Sequence, residues 1–598
     1  MIALHACGLL GQAIPKFEDY PVAETFSAKP VAPKLVRPDE RLYRTRIARG
    51  VRHGEGVFEN GGGKERPGPN FAGRFIIVQW GCGTDCPQYA IVDAKTGIIY
   101  QPPHGRRPGL LRLGEPPIPP PVACAGRRQA VKWLRMLSRR QLLERTCLGF
   151  GNMVLADLLR GASTSPYNDL RARGTHFPAR AKSVIQLVQN GGPSQMDLFD
   201  PKPELTKRAG QPLPGGVEIH QPNNVNTLLP TPFEFKKHGQ CGMDISEMLP
   251  HTAAIADELC FIRSMHTEHN NHLEGLNMLL TCKIFPGRPV MGAWISYALG
   301  TENQNLPAYV VLRDPTGYTI GGKQLWANGY LPALFQGVEF SMKGAPVHHL
   351  NPPEPQAPEV QRATLDLLAR MNENHLAEHP GESELEARIR NFELAARMQL
   401  AAGEVLDIAQ ESDATNKLYG IGDPKAGSYG LRCLMARRLV ERGVRFVQVT
   451  TSPGQPWDHH SNIKRDMRKI ATEVDQGSAA LVKDLASRGL LDSTIVMWAG
   501  EFGRLPTTQN GDGRDHNRNA FTLWFAGGGF KKGLIYGETD EFGYKSVVNR
   551  VAVPDMIATV LGQLGLDHAK VRYPHGGRLE TPSDVTVTGA KPVKDLIA

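Results

Sequence analysis

Apolar residues in the second half of the chain fall into short continuous runs separated by polar, glycine-rich breaks. Ala181-Lys-Ser-Val-Ile-Gln-Leu-Val-Gln, Leu259-Cys-Phe-Ile-Arg-Ser-Met, Ala308-Tyr-Val-Val-Leu-Arg, Gly443-Val-Arg-Phe-Val-Gln-Val and Ser493-Thr-Ile-Val-Met-Trp are such runs. Each has the length of a strand, carries β-branched or aromatic residues and ends in turn formers, so each is expected to be a buried strand. The segments between them change period. Leu273 to Leu280 and Ile470 to Arg488 show helical spacing, and residues 358–410 do so with an interruption at His379-Pro-Gly. Glu and Arg on the faces of that last region, with Leu and Ala between, predict a helical hairpin packed on a sheet. Strand and helix in alternation predict an α/β/α sandwich around a largely parallel sheet, spanning 180–582.

The pattern before residue 136 is different. Phe75-Ile-Ile-Val-Gln-Trp and Tyr89-Ala-Ile-Val-Asp flank a turn, and Ile98-Ile-Tyr follows. They predict a small antiparallel β-rich domain within 1–100. Residues 101–135, with Pro116-Pro-Ile-Pro-Pro-Pro121, read as a proline- and arginine-rich linker. The core Trp80-Gly-Cys-Gly-Thr-Asp-Cys86 resembles a small uncharacterised bacterial domain that brings no known activity. Cys82 and Cys86 suit a disulfide in an oxidising compartment or a pair of free thiols. The segment 136–166 opens with Ser138-Arg-Arg-Gln-Leu-Leu before a weakly apolar stretch and small residues, and it resembles a twin-arginine export signal. Translation from Met136 is then expected to deliver a periplasmic or secreted protein; otherwise the chain stays cytoplasmic. An amphipathic helix with two solvated arginines is the competing reading.

Composition narrows the function classes. The 598 residues carry a net charge of +9, and much of the basic excess precedes residue 150. No basic run alternates with aromatics, so nucleic acid is not an expected partner. No apolar run is long enough for a membrane span. Nine cysteines, an odd number and mostly scattered, do not form a disulfide framework.

Candidate chemistry gathers after two predicted strands. Val444 to Thr451 leads into Trp457-Asp-His-His, and Ser493 to Ala499 leads into Gly500-Glu-Phe-Gly-Arg, with Gly513-Arg-Asp-His a loop's length further on. Strand ends of open α/β sheets are where ligands bind. Asp458, His460, Glu501, Asp515 and His516 mix carboxylate with imidazole, a set suited to a divalent cation such as zinc, manganese or calcium. Arg504 and Arg514 are candidates to clamp an anionic oxygen, or to brace a neighbouring carboxylate. His459 reads as structural, and His266 and His269 are open between the two roles. Asp197 and Asp200 read as turn or capping residues that could also touch the site. Gly527-Gly-Gly529 reads as a turn.

Asn190-Gly-Gly-Pro-Ser-x-x-Asp, Arg263-Ser-Met-His-Thr with Asn271-His272, Trp457-Asp-x-His, Ala499-Gly-Glu-Phe-Gly-Arg, Gly513-Arg-Asp-His, Ala526-Gly-Gly-Gly and Tyr536-Gly-x-Thr-Asp-Glu-x-Gly543 occur in this order. In that order they resemble the sulfatase-like DUF1501 group, abundant in planctomycetes, which looks like a branch of the alkaline phosphatase superfamily. The resemblance implies one or two metal ions and a nucleophile at a helix start, acting on a phosphate or sulfate ester. It implies Glu501, Asp458, His460, Asp515 and His516 as metal ligands, with an anionic ester or sulfated glycan as partner. Three departures qualify it. Asn190 stands where a metal-binding Asp is usual, so it is expected as a metal ligand weakened to a neutral amide. His272 stands where the esterases carry Ser, Thr or Cys, so a covalent route through His272 and a ligand or acid–base role are both open. No Cys/Ser-x-Pro-x-Arg signature for formylglycine is present. The expectation is a metal-dependent ester hydrolase that is not a standard sulfatase; the competing class is a non-catalytic binding or scaffold protein of the same fold.

Overall fold

The computed structural model describes residues 75–81, 87–93, 99–100 and 169–598, apart from 219, 221–223, 343–357 and 380–381. The chain divides into two units, Met1–Ser138 and Arg139–Ala598. In the first, β1 (Phe75–Gly81), β2 (Pro87–Asp93) and β3 (Ile99–Tyr100) form one antiparallel sheet in that order. Cys82, Cys86, the 101–135 stretch and the twin-arginine segment lie outside the described residues.

The second unit is built on a nine-stranded sheet. In chain order its parts are β4 (Ser183–Val188), α1 (Gln195–Leu198), β5 (Asn224–Leu228), β6 (Leu259–His266), α2 (His272–Thr281) and α3 (Met291–Leu299). Then follow β7 (Tyr309–Leu312), β8 (Val338–Phe340), α4 (Pro358–Glu378), α5 (Ser383–Leu406), α6 (Gly427–Glu441), β9 (Phe446–Thr450) and α7 (Ile463–Ser487). The last are β10 (Thr494–Ala499), β11 (Gly503–Gln509), β12 (Gly513–Asn517), β13 (Phe521–Ala526), β14 (Leu534–Tyr536), β15 (Val551–Ala552) and α8 (Val553–Gln563). Across the sheet the order is β8-β7-β9-β4-β10-β13-β6-β14, with β15 also on β6. All pairings are parallel except those of β13, which runs against β10 and β6.

The fold is therefore the expected α/β class, a mostly parallel sheet flanked by helices. The strands β4, β7, β9, β10 and β13 are buried at every residue. Both faces of the sheet are thus covered, which is why these strands read as unbroken apolar runs. The reading missed β13, whose Phe521-Thr-Leu-Trp-Phe-Ala carries the same signal. It also missed α3, which is apolar nearly all round and shows no period.

The reversed strand matters for the site. β4, β6, β9 and β10 end at one edge of the sheet, and β13 begins there. A small sheet in the order β12-β11-β5 sits between the end of β10 and the start of β13. The sequence reading treats this stretch as loop. Its two strands from Gly503 to Asn517 are buried, yet they carry Arg, Asp and His at interior positions, so no apolar alternation announces them. Their charges are paired instead. Arg514 donates through Nε and Nη2 to the two oxygens of Asp197 in α1, at 2.6 and 3.1 Å, with both side chains fully buried.

Removing one partner of such a pair strands the other charge in the interior. Asp197→Ala is expected to lower stability by about 3–5 kcal/mol, because Arg514 stays buried and uncompensated. Urea unfolding measures this; a loss within the scatter of surface substitutions contradicts it.

Candidate metal centre

Four chain segments meet at the shared edge. The turn after β4 brings Asn190-Gly191-Gly192, and the loop after β9 brings Trp457 to His460. Glu501 follows β10, and His272 opens α2 after β6. Close packing of these segments depends on glycine. At Gly191 φ is +112°, and a Cβ there stands 2.6 Å from Trp457 N and 2.9 Å from Asp458 N. At Gly513 a Cβ falls 2.0 Å from the His460 carbonyl carbon, so β12 lies directly against the Asp458 loop.

Asp458 is the centre of the cluster. Its Oδ1 accepts from Arg504 Nη2 at 2.7 Å and lies 2.9 Å from His460 Nε2 and 3.2 Å from His516 Nε2. Its Oδ2 lies 3.2 Å from His272 Nε2, which makes no aligned hydrogen bond. The two nitrogens His460 Nε2 and His516 Nε2 face each other at 3.1 Å. His272 and His516 are deeply buried, whereas Asp458 and His460 keep side-chain exposures of 17% and 25%. The cluster thus opens to solvent along its Asp458–His460 edge.

The opposite nitrogen of each ring fixes its tautomer. His516 Nδ1 donates to the Asn270 carbonyl at 2.6 Å. His460 Nδ1 donates to the amide oxygen of Gln509. His272 Nδ1 donates to Glu501 Oε1 at 2.6 Å. With Nδ1 protonated in all three, every Nε2 of a neutral ring presents its lone pair toward Asp458. Lone pairs and a carboxylate so placed repel unless a cation stands among them. The donor atoms of His272, Asp458, His460 and His516 all lie within 4.8 Å of one another. Donors at about 2.0–2.1 Å from one ion in a tetrahedron are about 3.3 Å apart, close to the contacts seen. Oxygen acceptors behind each imidazole are the usual support of metal-binding histidines. The cluster can hold a divalent metal ion.

The charges of the cluster act on one another. Burial disfavours protonated His272, but Asp458 and Glu501 at its two nitrogens outweigh burial and raise its pKa. Burial also penalises the Asp458 carboxylate, yet Arg504 and the three histidines hold it far below the usual range. His516 is pushed down to about 3 by burial, with the charges of Arg504 and His272 adding to it.

The other expected site residues stand around these four donors. Glu501 stands behind His272: its Oε1 also accepts from Gly191 N at 2.8 Å, and it orients the ring while the far nitrogen meets Asp458. Asn190 donates to the Gly454 carbonyl and accepts from Thr451 Oγ1, both at 2.5 Å, so its amide fastens the loop after β9. Asp515 accepts the backbone N–H groups of His220, at 3.0 Å, and of His516, at 2.8 Å. Of the two roles open for the arginines, both brace: Arg514 serves Asp197, and Arg504 serves Asp458 and the backbone carbonyls of Gly191, Gly192, Trp457 and Arg514. Asp200 pairs with Lys202 at 3.0 Å.

Gln509, Asn270, Phe502 and His220 were not anticipated. Phe502 packs on the rings of His272 and His516, at 4.9 and 4.7 Å between centroids, and His220 stacks on His516 at 4.9 Å. An Asn and a Gln within polar stretches carry no mark in one sequence; the spatial pairing alone reveals them.

The motif order, the sheet and the cluster lead to one family. Residues 181–597 match the family described as a protein of unknown function, DUF1501. The chain belongs to DUF1501. No curated protein matches it. Among solved structures, this DUF1501 chain is similar to a lipoteichoic acid synthase from Listeria monocytogenes, with 10% identity, 67% of this chain and 76% of that one covered, and a TM-score of 0.28. A sulfatase from a Pseudoalteromonas species matches at 13% identity over 65% and 68%, with a TM-score of 0.28. A protein in the alkaline phosphatase superfamily from Vibrio parahaemolyticus matches at 10% identity over 70% and 77%, with a TM-score of 0.29.

His459 gives a test independent of any ligand. It is buried, its Nε2 has no partner, and burial with the Arg504 charge pushes its pKa down to about 4. A depressed histidine pKa means the unfolded chain binds the extra proton first. Stability is complete above about pH 6.5 and falls as the pH drops toward 4, by on the order of 3 kcal/mol from this ring. His459→Gln is expected to flatten that part of the stability–pH curve in chemical unfolding; an unchanged slope contradicts the assignment.

Proposed function

We propose that the DUF1501 domain is a divalent-metal-dependent hydrolase of phosphate or sulfate esters. The observation that carries this is the orientation of His272, His460 and His516, each with Nδ1 on an oxygen acceptor and Nε2 toward Asp458. The reaction class comes from the motif resemblance to alkaline-phosphatase-type hydrolases. His272, Asp458, His460 and His516 would hold the ion, and Glu501, Gln509 and the Asn270 carbonyl orient the rings. A bound divalent ion supplies positive charge to an anionic ester and polarises its oxygens. Arg504 keeps Asp458 ionised and fixed. His272 gives up its Nε2 proton when a cation enters, and Phe502 shields the buried rings from water. The open Asp458–His460 edge is where an ester reaches the cluster.

A second reading is a binding protein for sulfated glycans that has lost turnover. It draws on two observations: no hydroxyl or thiol is bonded to the cluster among the described residues, and the two guanidiniums are occupied by Asp458 and Asp197.

Purified protein is expected to contain zinc or a similar metal, and Asp458→Ala to lose it together with hydrolysis of aryl phosphate or aryl sulfate. Gln509→Leu is expected to weaken metal affinity about 10–100-fold, as loss of a supporting hydrogen bond does. Affinity should also fall as the pH is lowered, since the metal displaces the His272 proton. Calorimetry in buffers of different ionisation enthalpy counts that proton. Metal-loaded protein that retains sulfated glycans without turnover selects the second reading, and wild-type protein without metal affinity removes the first.

The proposal includes export from Met136 as a folded protein, supported by Ser138-Arg-Arg-Gln-Leu-Leu. A reporter fused after Ser163 is expected in the periplasm, and Arg139→Lys with Arg140→Lys to abolish its export. Export indifferent to that double change refutes this part.

A further inference from the structure

A second set of ligand-type side chains lies far along the chain from the Asp458 cluster, at the end of the exposed helix α4 (Pro358–Glu378). His375, Glu378 and His379 offer donor atoms within 4.8 Å of one another, and all three are at least partly exposed. We propose that they form a surface site for a borderline divalent cation of the zinc class.

The geometry follows from helix periodicity. Residues i and i+4 share a face, so His375 and His379 stand one turn apart, their ring centroids at 4.4 Å and planes inclined at 51°. A helical pair of histidines at this spacing is a known two-point chelate for zinc. His379 Nδ1 contacts the His375 carbonyl at 2.9 Å, which makes Nδ1 the donor and leaves the Nε2 lone pair for a ligand. That bond alone is a helix cap, and one ring suffices for it. The second ring and the carboxylate of Glu378 go beyond capping. Glu378 is the last residue of the helix, where the macrodipole is negative, so its charge is placed unfavourably. A divalent cation held there offsets both the dipole and the carboxylate. Two imidazole nitrogens and one carboxylate oxygen suit zinc, nickel or copper ahead of magnesium or calcium. The groups stand on an open helix end, so the assignment is to binding and carries no reaction.

The test uses the full chain with Asp458→Ala and His460→Ala, so that the buried cluster is silenced. Equilibrium dialysis against zinc is expected to show binding that weakens at least about tenfold with His375→Ala and His379→Ala, and less with Glu378→Gln. Because the rings are exposed, the variants should keep the parent far-ultraviolet circular dichroism. As a second measurement on the unaltered chain, zinc is expected to slow modification of His375 and His379 by diethyl pyrocarbonate, read by mass spectrometry. Zinc affinity unchanged by the double histidine substitution, or rings that zinc leaves unprotected, overturns the proposal.

Discussion

The negative charge of Asp458 is the constraint around which the site is arranged. One carboxylate, mostly buried, meets an arginine and three imidazoles. A charge taken out of water must be balanced nearby. Arg504 provides fixed compensation, and its remaining donors end on backbone carbonyls of three separate segments. The guanidinium therefore ties the turn after β4, the loop after β9 and β12 to one another while it holds the carboxylate. The histidines are each held from behind by an oxygen, which aims the far nitrogen of every ring at the carboxylate.

Much of the frame was readable because it rests on burial. Strands covered on both faces must be apolar throughout, so β4, β6, β7, β9 and β10 declared themselves, and the amphipathic α7 did so by its period. The ribbon from Gly503 to Asn517 did not. Its interior is filled by Arg504, Arg514, Asp515 and His516, and paired charges in a core look like a surface loop when only the sequence is read. The residues that converge were legible as a group through their position after strands. Their ranks were not. Glu501 and Asp458 look alike in a sequence, yet one meets the back of His272 and the other its front. Asn190 differs again: it lies at the expected strand end, and both atoms of its amide are spent on the adjoining loop. Such distinctions depend on side-chain direction, which spacing does not encode.

Polar groups at this sheet edge fall into two kinds. Arg514 with Asp197 is closed on itself, fully buried and saturated by further bonds to Leu229, Leu505 and Pro506 carbonyls. Its role is to fix β12 against α1. The Asp458 cluster is unsaturated: His272 Nε2 and Glu501 Oε2 are buried without an aligned partner. A saturated network gives position, and a buried polar atom without an aligned partner leaves capacity for a further bond. The two kinds meet where the Arg514 carbonyl accepts from Arg504, the partner of Asp458.

The placement of β13 has a consequence for how the chain reaches this state. Strand β6 is made early, yet every strand it pairs with, β13, β14 and β15, comes from beyond residue 520. An emerging polypeptide carries Leu259–His266 with nothing to cover its edges until nearly all the sheet has been synthesised. Pairings so distant in sequence form slowly, because a long loop must close before any contact rewards it. The sheet cannot close one strand at a time during translation; the end that holds β6 is completed last. A chain broken off before Phe521 exposes a buried apolar strand on both edges, the form most prone to pair with its neighbours.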